Sequence, residues 1–246
     1  MQKNLENFFH QLSLCQKCIS LKKKNGKDCS LINFYEDIDK REKIPSMWTD
    51  WRNRINSNIV IIGQDWGPYC DMENLYLEYK KEEIKTNWKT LMESEKSLTK
   101  KMLTNYLRDS AFQENFFLAE DFLDDIYITN AIMCARKGFG YRGDNIDLKK
   151  STRNCSVYLK EQIELVKPKV IVTLGYYPLY SLSLSYSFSI PSTLSETIEK
   201  YPEIKLDDFI IIPLYHPTAQ ITKEKQLEQY RRIWRYMKGK NYELEK

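Results

Sequence analysis

The chain has 246 residues, 42% of them hydrophobic, and its 38 basic and 34 acidic side chains leave a net charge of +4. That length and apolar content suit one globular domain with a sizeable core, here residues 1–246, and no run of about 18 apolar residues exists to span a membrane. No apolar stretch follows the first charge at the N-terminus, so no secretory signal is expected there and a cytoplasmic protein with reduced thiols is the expectation; a monomer is expected as well.

In chain order, residues 4–20 read as a helix that ends by presenting Cys15 and Cys18. Residues 21–57 are polar and irregular, with Trp48 and Trp51 to pack them onto the body, so 1–57 forms an N-terminal segment and 58–240 an α/β core. Residues 58–62 are a short, β-branched run of the kind found in a buried parallel strand. Residues 71–110 are helical and charged, in two pieces at 74–85 and 96–108. Residues 125–130 are a second strand, 151–166 an amphipathic helix, 170–174 a third strand, 209–214 a fourth, and 223–237 the closing helix. Strands alternating with helices predict an αβα sandwich around a central four-stranded parallel sheet. Ligands of such sheets bind beyond the carboxyl ends of the strands. Gln64, Asp65, Asn130 and His216 all fall there.

Each of these positions admits a structural and a functional reading. Gly63-Gln64-Asp65-Trp66-Gly67 is a glycine-bounded turn. It is either an ordinary strand-to-loop turn or a place where backbone approaches a ligand closely. Asp65 suits a general base, or a negative charge beside a developing cation. Asn130 is a turn residue or an amide that pairs with a carbonyl and a neighbouring ring N–H together. His216, one of two histidines, is a strand-end packing residue or a donor to an anionic leaving group. His10 is read as surface or core packing. Cys15 and Cys18 form a C-x-x-C, which suits zinc, redox chemistry or iron–sulfur alike. Cys134 and Cys155 complete a four-thiolate set that zinc also accepts. Cys29 and Cys70 are assigned no role. Basic residues gather at 22–27, again at Arg136, Lys137, Arg142, Lys149, Lys150 and Arg153, and on the last helix at Arg231, Arg235 and Lys238. The bland reading of each is solvated surface; together they are compatible with a phosphate-tracking face.

Taken in order, the C-x-x-C, the G-x-x-x-G at Gly63, the strand ending in Asn130 with Cys134 after it, Cys155 leading a helix into Lys167-Pro168-Lys169-Val170-Ile171-Val172-Thr173-Leu174-Gly175, and His216-Pro217-Thr218 resemble the uracil-DNA glycosylase superfamily, most closely its iron–sulfur branch, family four. The resemblance spans residues 10–237. It implies a four-iron–four-sulfur cluster on Cys15, Cys18, Cys134 and Cys155, in preference to zinc, and hydrolysis of the N-glycosidic bond of uracil in DNA. It implies that Asp65 stabilises the cationic sugar and positions water, that His216 and amides near Gln64 stabilise the departing base, and that Asn130 reads the uracil edge. It places Gln220 and Ile221 in the loop that enters the duplex, and Arg136, Lys137 and Arg142 on the DNA face.

The chain also departs from that pattern. Gln64-Asp65 is similar to the first motif of family-one enzymes, where family four has a small residue. Gly67 stands where family one has a tyrosine that excludes a 5-methyl group, so the base-binding position is open. The stacking aromatic is to be sought among Trp66, Tyr69 and Tyr76. Two other readings follow: a glycosylase for a 5-modified pyrimidine or a deaminated purine, and a metal-stabilised DNA-binding module without catalysis.

Overall fold

A computed structural model describes residues 2–22, 29–33, 55–67, 98–119, 122, 126–136 and 146–239. In chain order the elements are α1 (Gln2–Ser13), β1 (Leu31–Ile32), β2 (Ile59–Gly63), α2 (Leu98–Gln113), β3 (Ile126–Asn130), β4 (Ala135–Arg136), α3 (Leu148–Val166), β5 (Val170–Leu174), α4 (Tyr176–Tyr186), α5 (Leu194–Lys200), β6 (Ile204–Lys205), β7 (Ile210–Leu214) and α6 (Lys223–Gly239). The expected helix at 74–85, Trp48 and Trp51 lie outside the described residues.

The main sheet has the order β3-β2-β5-β7-β6. Its first four strands are mutually parallel, as the apolar runs predict. The expectation of four strands needs one correction: β6 adds a two-residue antiparallel edge to β7. Side chains of β2 alternate between two cores. Val60 and Ile62 join Leu12 of α1, Leu159 and Ile163 of α3, and Leu179 and Leu182 of α4. Ile59 and Ile61 join Leu103 and Leu107 of α2 and Tyr230, Ile233 and Trp234 of α6. The sheet is thus covered on both faces, which is why its strands carry no polar alternation.

Local chemistry sets the helix ends. Asp147 caps α3 by accepting from the Lys150 amide at 3.0 Å, satisfying one of the orphan donors of the first turn. The helix stops at Lys167, which is left-handed (φ 53°) and donates its N–H to Ile163; Pro168 follows. Thr193 caps α5 and Glu196 stands three residues on, the spacing of a capping box. α1 ends at Ser13, earlier than the expected 4–20, so Cys15 and Cys18 lie in the turn that follows it.

A second, two-stranded ribbon pairs β1 with β4, Leu31 opposite Arg136 and Ile32 opposite Ala135. It draws the cysteine-bearing N-terminal turn onto the segment just past β3. No helix among the described residues is long and apolar enough to cross a membrane.

Candidate active site and cysteine cluster

The carboxyl ends of β2, β3 and β7 carry the polar groups. Gly63 and Asn130 are register partners on adjacent strands. A Cβ added to Gly63 would stand 2.4 Å from Asn130 Oδ1. The Asn130 amide occupies the space a side chain at position 63 would take, which favours glycine there.

Past Gly63 the chain turns and runs beside the segment that follows Asn130. Ala131 N–H donates to Gly63 O at 2.9 Å, Ile132 N–H to Gln64 O at 3.0 Å, and Arg136 N–H to Gly67 O at 2.9 Å. Trp66 is buried, and its Nε1 donates to Met133 O at 2.9 Å. That role removes Trp66 from the candidate stacking aromatics; Tyr69 and Tyr76 lie outside the described residues. Gly67 has φ 81°, a left-handed conformation that favours glycine. The Gly67 N–H donates to Asp65 Oδ1 at 2.8 Å.

The Asp65 carboxylate is held on both oxygens. Oδ2 accepts from Gln64 Nε2 at 2.8 Å. Oδ1 accepts from the Gly67 amide and from Arg136 Nε at 3.0 Å. The Asp65 side chain is 3% exposed and that of Arg136 12%. Arg136, expected on a nucleic-acid face, is instead the cation of a nearly buried ion pair. Lys137 and Arg142 lie outside the described residues. The last-helix patch is also spoken for: Arg231 and Arg235 pair with Glu114 and Glu228, and Lys238 donates to the Glu114 carbonyl. Lys149, Lys150 and Arg153 remain exposed along the start of α3.

His216 follows β7. Its Nδ1 accepts from the Thr218 backbone N–H at 3.3 Å and lies 2.8 Å from Thr218 Oγ1. An amide N–H can only donate, so Nδ1 carries the lone pair and the neutral ring bears its proton on Nε2. Burial lowers the His216 pKa from its ordinary value near 6.5, and the charge of Asp65 opposes that fall. The carboxylate and the imidazole therefore share one electrostatic environment. Two glutamines of α6 hold the loop from beneath. Gln226 Nε2 donates to His216 O at 2.9 Å, and Gln229 Oε1 accepts from the Tyr215 amide at 3.2 Å. Both are buried. Sequence reading passes over them, although Gln226, Tyr230 and Ile233 share helical spacing, which puts an amide on the apolar face. Gln220 is exposed and Ile221 half-buried, in the turn that leads to α6. His10 is on the surface.

The sign of the His216 titration is testable. A depressed folded pKa keeps the ring neutral at pH 7; the associated stability is complete above about 6.5 and is lost as pH falls through the folded value. His216 should titrate below 6.5 in heteronuclear NMR, with a His10→Gln variant used for assignment. Asp65→Asn should push it lower still, because the charge that opposes the fall is gone. A value above 6.5, or one insensitive to Asp65→Asn, would refute the proximity.

The four cysteines converge from three elements. Cys15 and Cys18 lie in the turn after α1, Cys134 after β3, and Cys155 on α3. A hydrogen bond from Cys155 lowers the Cys18 thiol pKa to about 6. The same contact, with burial and the charges of Cys134 and Cys18, raises that of Cys155. Burial raises the Tyr158 pKa, and a hydrogen bond with Cys15 adds to the effect. No three described His, Cys, Asp or Glu side chains are gathered closely enough to hold a single ion. Cys29 is also buried, and Cys70 lies outside the described residues.

Two asparagines fix the cysteine turn. Asn33 Nδ2 donates to the carbonyls of Leu12, Ser13 and Cys15 at 2.9, 3.2 and 2.9 Å. Asn154 Nδ2 donates to Lys17 O at 3.1 Å and to Cys18 Sγ at 3.4 Å. Neither has a signal in the sequence beyond its nearness to a cysteine.

The family model of the uracil DNA glycosylase superfamily matches residues 50–238. Among curated proteins, a type-4 uracil-DNA glycosylase of Sulfurisphaera tokodaii is 31% identical over 105 residues, 40% of this chain and 43% of that one. A type-4 uracil-DNA glycosylase of Archaeoglobus fulgidus is 27% identical over 110 residues, 44% of this chain and 52% of that one. The chain thus spans about half the length of the curated relatives it matches.

Proposed function

The chain belongs to the uracil DNA glycosylase superfamily, and on that footing we propose that it is a DNA glycosylase hydrolysing the N-glycosidic bond of uracil. The observation that carries the reading is the His216 ring. Its Nδ1 accepts from Thr218, so its proton is on Nε2, as a donor to a departing base requires.

The target base leaves the stack to reach the strand ends. As the bond to the sugar lengthens, positive charge develops on the sugar and negative charge on the base. The fixed Asp65 carboxylate faces the first, and His216 Nε2–H the second. Groups already oriented in a desolvated site stabilise such charge at little reorganisation cost. Asn130 pairs with the uracil edge; cytosine presents the reversed pattern and leaves buried polar groups unsatisfied. Phosphates are met by Lys149, Lys150 and Arg153 on α3. The reading is tested by single-turnover assays on uracil, cytosine, thymine and 5-substituted oligonucleotides with wild type and His216→Ala. Removing one donor to developing negative charge should slow base release about 10²- to 10³-fold. Abasic-site formation from a 5-modified substrate and not from uracil would favour the alternative motivated by Gly67. No abasic sites from any substrate would favour a binding module.

The four thiols fit a four-iron–four-sulfur cluster held by Cys15, Cys18, Cys134 and Cys155. Support comes from their mutual electrostatic influence. Four thiolates on a tetrahedral zinc crowd onto one centre with bonds of about 2.3 Å, whereas those on a cluster attach to separate irons. When bound, the group supplies a cross-link between the N-terminal turn, the segment after β3, and α3.

Gly63→Ala tests the base-reading role of Asn130. The added methyl meets the end of a side chain that can turn away, so the stability loss should stay at the low end of about 1–3 kcal/mol for overpacking. Uracil release should fall far more, and preference for uracil over cytosine should narrow. Unaltered rates and preference would show that Asn130 does not read the base.

A further inference from the structure

Asp65 has three hydrogen-bond donors among the described residues: Gln64, the Gly67 amide and Arg136. Two belong to its own loop and move with it. Arg136 alone of the three comes from another part of the chain. It lies two residues after Cys134 and opposite Leu31 in the β1–β4 ribbon. Its backbone N–H also holds Gly67 O, so one residue grips the loop at both carboxylate and main chain. Residues 63–67 and 131–136 are further joined through Ala131, Ile132 and the Trp66–Met133 bond.

We infer that Arg136 is a positioning residue that fixes the Asp65 carboxylate and ties its orientation to the cysteine-bearing segment. The inference rests on the reading of Asp65 as a catalytic group. A carboxylate with one oxygen shared between a guanidinium and an amide, and the other held by Gln64, cannot rotate freely about its last bond. Loosening the Cys134 segment would shift Arg136 and release that constraint. The competing role, a phosphate contact, conflicts with a side chain only 12% exposed whose Nε already points at Asp65.

The experiment compares Arg136→Met and Arg136→Lys with wild type by three readouts: His216 pKa by NMR, single-turnover uracil release, and DNA affinity as a function of salt. Arg136→Met should raise the His216 pKa, because the cation balancing Asp65 is gone. It should slow base release about 10- to 100-fold, the scale of a misplaced reacting group, and leave the salt slope unchanged. Arg136→Lys should restore the His216 pKa but only part of the rate, since a point charge does not reproduce the guanidinium fork. A salt slope reduced by about one phosphate contact, with an unmoved His216 pKa, would overturn the inference. So would a wild-type rate in Arg136→Lys, which also decides the matter if Arg136→Met does not fold. If wild type releases no base from any substrate, the proposed activity fails. The His216 pKa comparison then decides the Arg136–Asp65 coupling on its own.

Discussion

Asp65→Asn should slow single-turnover release of uracil by about 10²- to 10³-fold while DNA affinity changes little. The substitution preserves shape. Its amide oxygen can still accept from Gly67 and Arg136, at Oδ1 in the native site. The amide nitrogen then faces Gln64 Nε2, which must turn its own oxygen inward. What is lost is the negative charge, which on the proposed mechanism acts on a cation present only near the transition state. The loss belongs in the rate and not in binding. A factor of 10²–10³ corresponds to about 2.7–4 kcal/mol of transition-state stabilisation. A second cost falls on the fold. Arg136 loses the Asp65 charge, and breaking a buried pair from one side costs about 3–5 kcal/mol, less here because Arg136 keeps some contact with water. Thermal unfolding must accompany the kinetics, so that a slow enzyme is not mistaken for an unfolded one. Folded Asp65→Asn with the wild-type rate would remove Asp65 from the mechanism.

The other large effect is expected at the cysteines. Cys134→Ser or Cys155→Ser should abolish iron and sulfide content and the brown colour of anaerobically purified protein. The N-terminal turn should be released at the same time. Binding free energy of a structural metal is folding free energy, on the order of 10 kcal/mol for zinc sites, against a total stability of roughly 5–15 kcal/mol for a domain. Cys29→Ser is the control: Cys29 is equally buried, yet it is not one of the four, and iron content should persist. Colourless wild-type protein with stoichiometric zinc would replace the cluster with a different metal. Full iron in Cys134→Ser would remove Cys134 from the ligand set.

How much of this could be read from the residues depends on the range of the determining interactions. The four long strands were readable because burial on both faces demands β-branched runs such as Ile59-Val60-Ile61-Ile62. The strand-end placement of Asp65, Asn130 and His216 was readable because each ends or follows such a run. α4 was missed for a physical reason. Tyr180-Ser181-Leu182-Ser183-Leu184-Ser185 alternates as a strand would, yet helical packing on α3 prevails. α5 was missed despite its Thr193-to-Glu196 cap, and β6 is too short to show a period. The Arg136–Asp65 pair has no local signature, since it depends on a ribbon register between Leu31 and Arg136. The glutamines beneath His216 satisfy backbone groups whose positions only the folded loop defines.

That ribbon has a consequence for the order of folding. Leu31 and Arg136 are about 105 positions apart, and closing such a loop in an unfolded chain costs about 4 kcal/mol. Two residues of antiparallel pairing, at about 1 kcal/mol per hydrogen bond, do not recover it. Once β2 and β3 have paired, the stretch still to be closed shrinks to the connection between Ile32 and Ile59, about 27 positions, and the cost falls to about 3 kcal/mol. The cheaper route forms the parallel sheet first and docks the N-terminal turn last. A chain arrested before that docking would hold an intact sheet with Ala135 and Arg136 not yet paired to the N-terminal strand, so completion of the cysteine-bearing end follows the sheet as a separate, later event.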